Sequence, residues 1–254
     1  MQFELDGKVV FVTGAGSGIG RSIAVKLAQN GADVAVNDVR PGGAEETVAR
    51  LEEFDCDAIA AVADISDYEA VRGAVEKTID HYGRIDVLVN NAGWDHLVPF
   101  MKTEPDDWEK YFDINLRGPL NVTHVVSRHM SENGGGNIVS VASDAGRVGS
   151  MGQSIYSACK GGIIAISKTW AREFARDDIR VNVVSPGLTD TPLLDDIREE
   201  GFGGKVIDAI INQIPFGLGE PDQVANAVLF FVSDASEYIT GQVLSVSGGL
   251  SMSD

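Results

Sequence analysis

The sequence is poor in cysteine, histidine and basic residues, and each shortage removes a class of function. Its only two cysteines, Cys56 and Cys159, lie far apart with no Cys-x-x-Cys, which argues against a disulfide framework or a thiolate zinc site. The four histidines (His81, His96, His124, His129) show no metal-ligand spacing, so no metal is expected. Twenty Lys and Arg stand against 38 Asp and Glu, a net charge of −18 that would repel nucleic-acid phosphates. No apolar run approaches the ~18 residues a membrane helix needs. The stretch Met1-Gln2-Phe3-Glu4-Leu5-Asp6 lacks a basic-then-apolar signal pattern. The expectation is a cytoplasmic protein with a small-molecule partner and neither nucleic acid nor membrane.

What is present is alternation. Short, nearly continuous apolar runs begin at Lys8, Asp33, Ala58, Asp86, Asn137, Arg180 and Gln242. Runs of that kind suit strands buried on both faces of a parallel sheet. Helical patterns separate them: from Ile19, from Gly43 to Phe54, Asp67 to Tyr82, Glu104 to Met130, Tyr156 to Arg176 and Pro221 to Val232. Strands alternating with helices predict an α/β fold, one doubly wound Rossmann-type domain over residues 1–254. Right-handed crossovers give a seven-stranded parallel sheet in the order 3-2-1-4-5-6-7, with helices on both faces. Residues 188–216 are weakly patterned and contain Gly201, Gly203 and Gly204, a candidate substrate lid.

The first strand leads directly into Gly14-Ala15-Gly16-Ser17-Gly18-Ile19-Gly20 and then a helix. Bare backbone amides and the positive end of that helix suit a pyrophosphate, so Gly14, Ser17, Gly18, Ile19 and Gly20 are candidate cofactor contacts. Asp38 closes the second strand ~20 residues on, where a carboxylate accepts from ribose hydroxyls and repels a 2′-phosphate. NAD is therefore expected over NADP. Arg40, two residues later, is read as a solvated loop charge. Asp64 and Ile65 end the third strand, where Asp64 is a candidate partner for the adenine amino group or a cap for the next helix. Asn91, Ala92 and Gly93 follow the fourth strand, and small residues there let a flat ligand approach the backbone. Pro186 and Gly187 end the sixth strand on the same rim. Asn115 falls in an apolar helical stretch and must find partners, in backbone or in water.

The densest chemistry runs from Ser143 to Lys160. Tyr156 and Lys160 are one helical turn apart and share a face. A free phenol titrates near ~10, and lowering it by two to three units needs ~3–4 kcal/mol of differential interaction. An adjacent ammonium is expected to supply this, making Tyr156 an acid/base for an alcohol or carbonyl oxygen. Ser143, ending the fifth strand, is expected to hold that oxygen.

Taken together, Thr13-Gly14-x-x-x-Gly18-Ile19-Gly20, Asn90-Asn91-Ala92-Gly93, Asn115, Ser143, Tyr156-x-x-x-Lys160 and Pro186-Gly187 resemble the short-chain dehydrogenase/reductase family in order and spacing. The resemblance spans about Leu5 to Ser251. It implies hydride transfer with Tyr156 as acid/base, Ser143 on the reacting oxygen, Lys160 on the nicotinamide ribose, and Asn115 positioning a relay water. It also implies Thr189 and Thr191 on the nicotinamide side, and a homotetramer. A narrower likeness rests on Gly93-Trp94-Asp95, Lys102 to Pro105, Ser143-Asp144-Ala145, Arg147-Val148-Gly149 and Thr189-Asp190-Thr191. These resemble the 2-hydroxycyclohexanecarboxyl-CoA dehydrogenases within the family. It implies a β-hydroxyacyl thioester as substrate, with Trp94, Asp144 and Arg147 beside it. Lys102, Arg147, Arg198 and Lys205 are the nearby cations for an anionic CoA. A 3-oxoacyl carrier-protein reductase is the alternative. A catalytically silent NAD sensor is the reading from another class, although Asn115, Ser143, Tyr156 and Lys160 are all present.

Overall fold

The computed structural model describes residues 3–199 and 201–252. Seven strands, β1 (Val9–Val12), β2 (Asp33–Val36), β3 (Ala58–Ala60), β4 (Val87–Asn90), β5 (Gly136–Val141), β6 (Ile179–Pro186) and β7 (Val243–Val246), form one sheet. Its order is β3-β2-β1-β4-β5-β6-β7 and every pairing is parallel, as the alternating pattern predicts.

Both faces are covered, and the strand residues divide between them by alternation. Val10, Val12, Val34, Val36, Val87 and Val89 pack with helices α1 (Gly18–Ala28), α2 (Pro41–Leu51) and α10 (Pro221–Val232). Phe11, Ala35, Leu88, Ile138 and Val181 point the other way. They meet α3 (Tyr68–Tyr82), α5 (Gly118–Glu132) and α7 (Ser154–Glu173). With apolar partners on both sides, the strands read as nearly continuous apolar runs.

Two expectations change. The long helix read from Glu104 to Met130 is α4 (Pro105–Phe112), a π turn over Asp113–Arg117, and then α5. Asn115 sits in that turn and is fully buried. Its side chain bonds backbone outside the helix, and the wider turn accommodates this. The stretch 188–216 is also more regular than its pattern suggests. It holds α8 (Pro192–Glu199) and α9 (Gly201–Ile211), joined to Leu97 by a small apolar cluster of Leu194, Ile197 and Ile207. Gly201, Gly203 and Gly204 fall in the first turn of α9, and poor helix formers at that place make the stretch read as a loop. A further helix, α6 (Ala145–Val148), is a single turn after β5.

Among the described residues, no helix is long and apolar enough to cross a membrane, and no cluster of acidic, His and Cys side chains is arranged to hold a metal.

Candidate active site

A cleft of about 480 Å³ runs along the C-terminal ends of the strands. Its floor at one end is the Gly turn between β1 and α1. Gly14 takes φ of 62°, and a Cβ there would lie 2.7 Å from the Ala92 Cα. A Cβ on Gly20 would lie 2.2 Å from the Gly14 carbonyl oxygen. Side chains would force the turn open at both positions. Asn91 locks the same turn: its Nδ2 donates to the carbonyls of Thr13 (2.9 Å) and Gly14 (3.2 Å). The Thr13 hydroxyl accepts from the amides of Asn91 and Ala92, both at 3.0 Å.

Asp38, just beyond β2, is buried at this end. Its Oδ2 accepts from the Gly16 amide at 3.0 Å, and its Oδ1 accepts from the Arg40 amide at 2.9 Å. Arg40 is the exposed loop charge expected, with 66% of its side chain accessible, but it is not without partners. Its guanidinium approaches Asp38 Oδ1 at 3.4 Å, donates to the Ser17 hydroxyl at 3.0 Å, and lines the cleft. The buried carboxylate two residues away supplies the attraction that folds it back. Asp64 lines the cleft and accepts from the Ser66 amide and hydroxyl. Asp67, not Asp64, caps α3, accepting from the amides of Glu69 and Ala70.

Ser143, Tyr156 and Lys160 meet on one wall of the same cleft, with Trp94 close by. Ser143 lies just past β5, and Tyr156 and Lys160 come from the first two turns of α7. Lys160 is buried, donates to the Val141 carbonyl at 3.0 Å, and holds its Nζ 5.6 Å from the centre of the Tyr156 ring. Ile19, Ile65, Gly93, Pro186, Gly187, Thr189 and Thr191 line the cleft too. So do Ser17 and Gly18, in the Gly turn.

The electrostatics differ from the sequence expectation. The ammonium does not bring the phenol down. Burial pushes the Tyr156 hydroxyl well above its ordinary value and the charge of Asp95 adds to this, while a hydrogen bond with Ser143 works in the opposite direction. Burial also lowers Lys160 to about 8. Burial penalises the charged form of both groups, and one nearby cation does not offset that.

Asn115 does not line the cleft but shapes it. Its Oδ1 accepts from the Trp94 amide and its Nδ2 donates to the carbonyls of Trp94 and Tyr111. The side chain is therefore held by backbone groups at three points. Asp144 and Arg147 are engaged with each other. They form a buried ion pair at 3.4 Å behind Ser143, and the Asp144 carboxylate accepts from the hydroxyls of Ser245 and Ser251. The bond to Ser245 ties the loop to β7, and Asp144 borders an adjoining cavity.

That cavity, about 560 Å³, lies between the turn after β5 and helix α9, and shares Ser143 and Gln153 with the cleft. Its walls are largely apolar, with Val148, Met151, Phe202, Val206 and Ile210, and one cation, Lys205. Of the other cations expected near the substrate, Arg198 is paired with Asp208 and Lys102 lies in a short 3₁₀ turn after Pro99.

Sequence reading passed over Gln153 and Asp196 and gave Asp95 no role of its own, yet all three line the cleft. Gln153 was detectable, because three residues before Tyr156 places it on the same helical face. Asp95 carried no such mark, since nothing in a loop sequence shows that its carboxylate is buried.

A family model described as enoyl-(acyl carrier protein) reductase matches residues 14–251. The 3-oxoacyl-[acyl-carrier-protein] reductase of Thermotoga maritima is 39% identical over 97% of this chain and 99% of its own. A (2S)-[(R)-hydroxy(phenyl)methyl]succinyl-CoA dehydrogenase subunit of Thauera aromatica is 40% identical over 98% of each. Among solved structures, a 7α-hydroxysteroid dehydrogenase complexed with NADH and 7-oxo glycochenodeoxycholic acid is 30% identical with a TM-score of 0.87, over 98% of this chain and 96% of that one. A gluconate 5-dehydrogenase from Burkholderia cenocepacia in complex with NADP and tartrate is 34% identical with a TM-score of 0.89, over 98% and 97%. Matched along nearly its whole length in both sequence and fold, the chain belongs to the short-chain dehydrogenase/reductase family of nicotinamide-dependent oxidoreductases.

Proposed function

We propose that this protein transfers a hydride between NAD(H) and a secondary alcohol or ketone, with β-hydroxyacyl and β-ketoacyl thioesters as its substrate class. The observation that carries the reading is the meeting of Ser143, Tyr156 and Lys160 on one wall of a cleft whose far end holds Asp38. The Gly14–Gly20 turn fits a pyrophosphate, because its bare backbone and the start of α1 leave amides without side chains in the way. Asp38 would take the adenosine ribose, and Asp64 and Ile65 the adenine. Ala92, Gly93, Pro186, Gly187, Thr189 and Thr191 would border the nicotinamide. The cofactor supplies or accepts the hydride.

The protein supplies the proton and its position. A phenol kept neutral by burial is a proton donor at rest, so Tyr156 is suited to protonate a carbonyl oxygen during reduction. Ser143 holds that oxygen, and Lys160 steadies the ribose beside it. The adjoining apolar cavity suits an acyl chain or ring, and Lys205 suits an anionic carrier further out. Helices α8 and α9 act as the lid over a single catalytic domain. A homotetramer in the cytoplasm completes the reading.

A second reading, a 3-oxoacyl carrier-protein reductase using NADPH, draws support from Arg40. Its guanidinium beside Ser17 would meet a 2′-phosphate if it left Asp38. Asp38 favours NAD because a buried carboxylate next to that position repels the phosphate. Steady-state reduction of acetoacetyl-CoA with NADH and with NADPH tests both readings. Higher kcat/KM with NADH is expected, and a strong NADPH preference would overturn the cofactor assignment. NADH binding with no turnover of any ketone would instead point to a silent sensor.

A further inference from the structure

We propose that Asp95 is a specificity-determining residue. Its carboxylate, held on the substrate wall of the cleft by Gln153, admits neutral β-keto esters and thioesters and repels substrates carrying a carboxylate beside the reacting carbonyl. The inference rests on the ketoreductase reading above and concerns which ketones that site accepts.

Asp95 lies two residues beyond Gly93 and is 5% exposed, yet it lines the cleft with Ser143, Tyr156 and Lys160. Its position is fixed from two directions. The His96 amide donates to Oδ1 at 2.9 Å, and the Gln153 side-chain amide donates to Oδ2. Gln153 stands at the head of α7, where its carbonyl accepts from the Ser157 amide at 2.7 Å. One residue earlier, the Gly152 carbonyl accepts from the Val98 amide at 2.9 Å, stitching the Asp95 loop to the start of the same helix. The carboxylate therefore cannot swing out of the cleft without breaking contacts on both sides.

Charges of both signs surround this carboxylate. Lys160 and Tyr156 face Asp95 from α7, and His96 adjoins it in sequence. Lys110 of α4 sits 3.6 Å over the Trp94 ring, and Asp196 of α8 lines the opposite part of the cleft. Burial pushes Asp95 up to about 6, against the hydrogen bonds from Gln153 and His96 and the attraction of Lys160. At neutral pH it is mostly ionised. An arriving carboxylate meets a like charge in a partly dry space, whereas an ester or thioester brings none. An anionic group at the far end of a thioester is unaffected, because Lys205 borders the outer cavity.

The test is reduction of ethyl acetoacetate and of acetoacetate by NADH, with the wild type and Asp95→Asn. Asparagine keeps the size and an acceptor for Gln153 while removing the charge. The ratio of kcat/KM for the acid over that for the ester should rise about tenfold or more in the variant, as expected for like charges a few ångströms apart at an effective dielectric constant near 20. A second arm needs no variant. In the wild type the same ratio should rise as pH falls from about 7.5 to 5.5, because Asp95 gains a proton there while a free carboxylic acid, with a pKa near ~4, stays ionised. That dependence should be missing in Asp95→Asn. Turnover of the ester with a ratio unchanged in both arms overturns the inference and leaves the ketoreductase reading standing. Failure to reduce the ester, the acid or acetoacetyl-CoA overturns both.

Discussion

Asn115 grips the peptide units of Trp94: its Oδ1 accepts from the Trp94 amide at 3.1 Å and its Nδ2 donates to the Trp94 carbonyl at 2.8 Å. A third bond, to the Tyr111 carbonyl at 3.2 Å, closes the π turn across the helix. Asn115→Leu removes all three and leaves buried backbone groups unsatisfied. At ~1 kcal/mol per net bond, a loss of about 3 kcal/mol is expected. A lowered midpoint in urea unfolding would register it. Turnover should fall as well, because the loop that carries Trp94 and Asp95 loses its anchor.

Tyr156→Phe keeps the ring and removes the proton. Turnover should drop by roughly 10³-fold, within the range for loss of a general acid. Titration of the variant with NADH by fluorescence should still show binding. Retained activity would remove Tyr156 from the proton-transfer role.

Lys160 offers a pH-dependent test of stability. Burial depresses it from 10.5 to about 8, so the folded state disfavours the ammonium. For a lysine lowered in this way, folding bears the full cost below about 8, and the cost is relieved as pH rises from there toward 10.5. Two and a half pKa units correspond to roughly 3 kcal/mol. Lys160→Met also loses the bond to the Val141 carbonyl, ~1 kcal/mol. The variant should thus be more stable than the wild type by about 2 kcal/mol at pH 7, although inactive. That advantage should shrink when urea unfolding is repeated near pH 10.

Asp38→Ala should shift the cofactor preference. It removes the buried carboxylate, releases the Gly16 amide and frees the Arg40 guanidinium from its partner. The kcat/KM ratio of NADPH over NADH should rise by at least ~tenfold, or ~1.4 kcal/mol. Initial-rate measurements with both cofactors would check it.

Ile207→Ala tests the proposed lid. Ile207 is buried and joins α9 to Leu97, Leu194 and Ile197. A cavity there costs about 2–5 kcal/mol, concentrated in a small cluster separate from the main core. KM for a ketone should rise more than kcat falls. Limited proteolysis should become faster between residues 192 and 211.

The order of the seven strands and the positions of Ser143, Tyr156 and Lys160 were legible because they rest on local rules: apolar runs, glycine turns and the four-residue turn of a helix. The cofactor rim was legible for the same reason, since residues that end parallel strands gather on one edge. The π turn was not, because it arises from bonds between Asn115 and a loop 21 residues away. Nor was the fate of Asp144 and Arg147, which is decided by Ser245 and Ser251 about 100 residues on.

The sequence by itself determined which groups would face one another at the end of the sheet. Only the tertiary structure decided their protonation and which side chains were diverted to other partners. Tyr156 and Lys160 are neighbours by helical spacing alone. Whether the ammonium or the surroundings govern the phenol depends on how deeply each group is buried in the cleft. Here burial prevails, and it also pushes Asp95, a loop aspartate at the substrate end of the cleft, up to about 6.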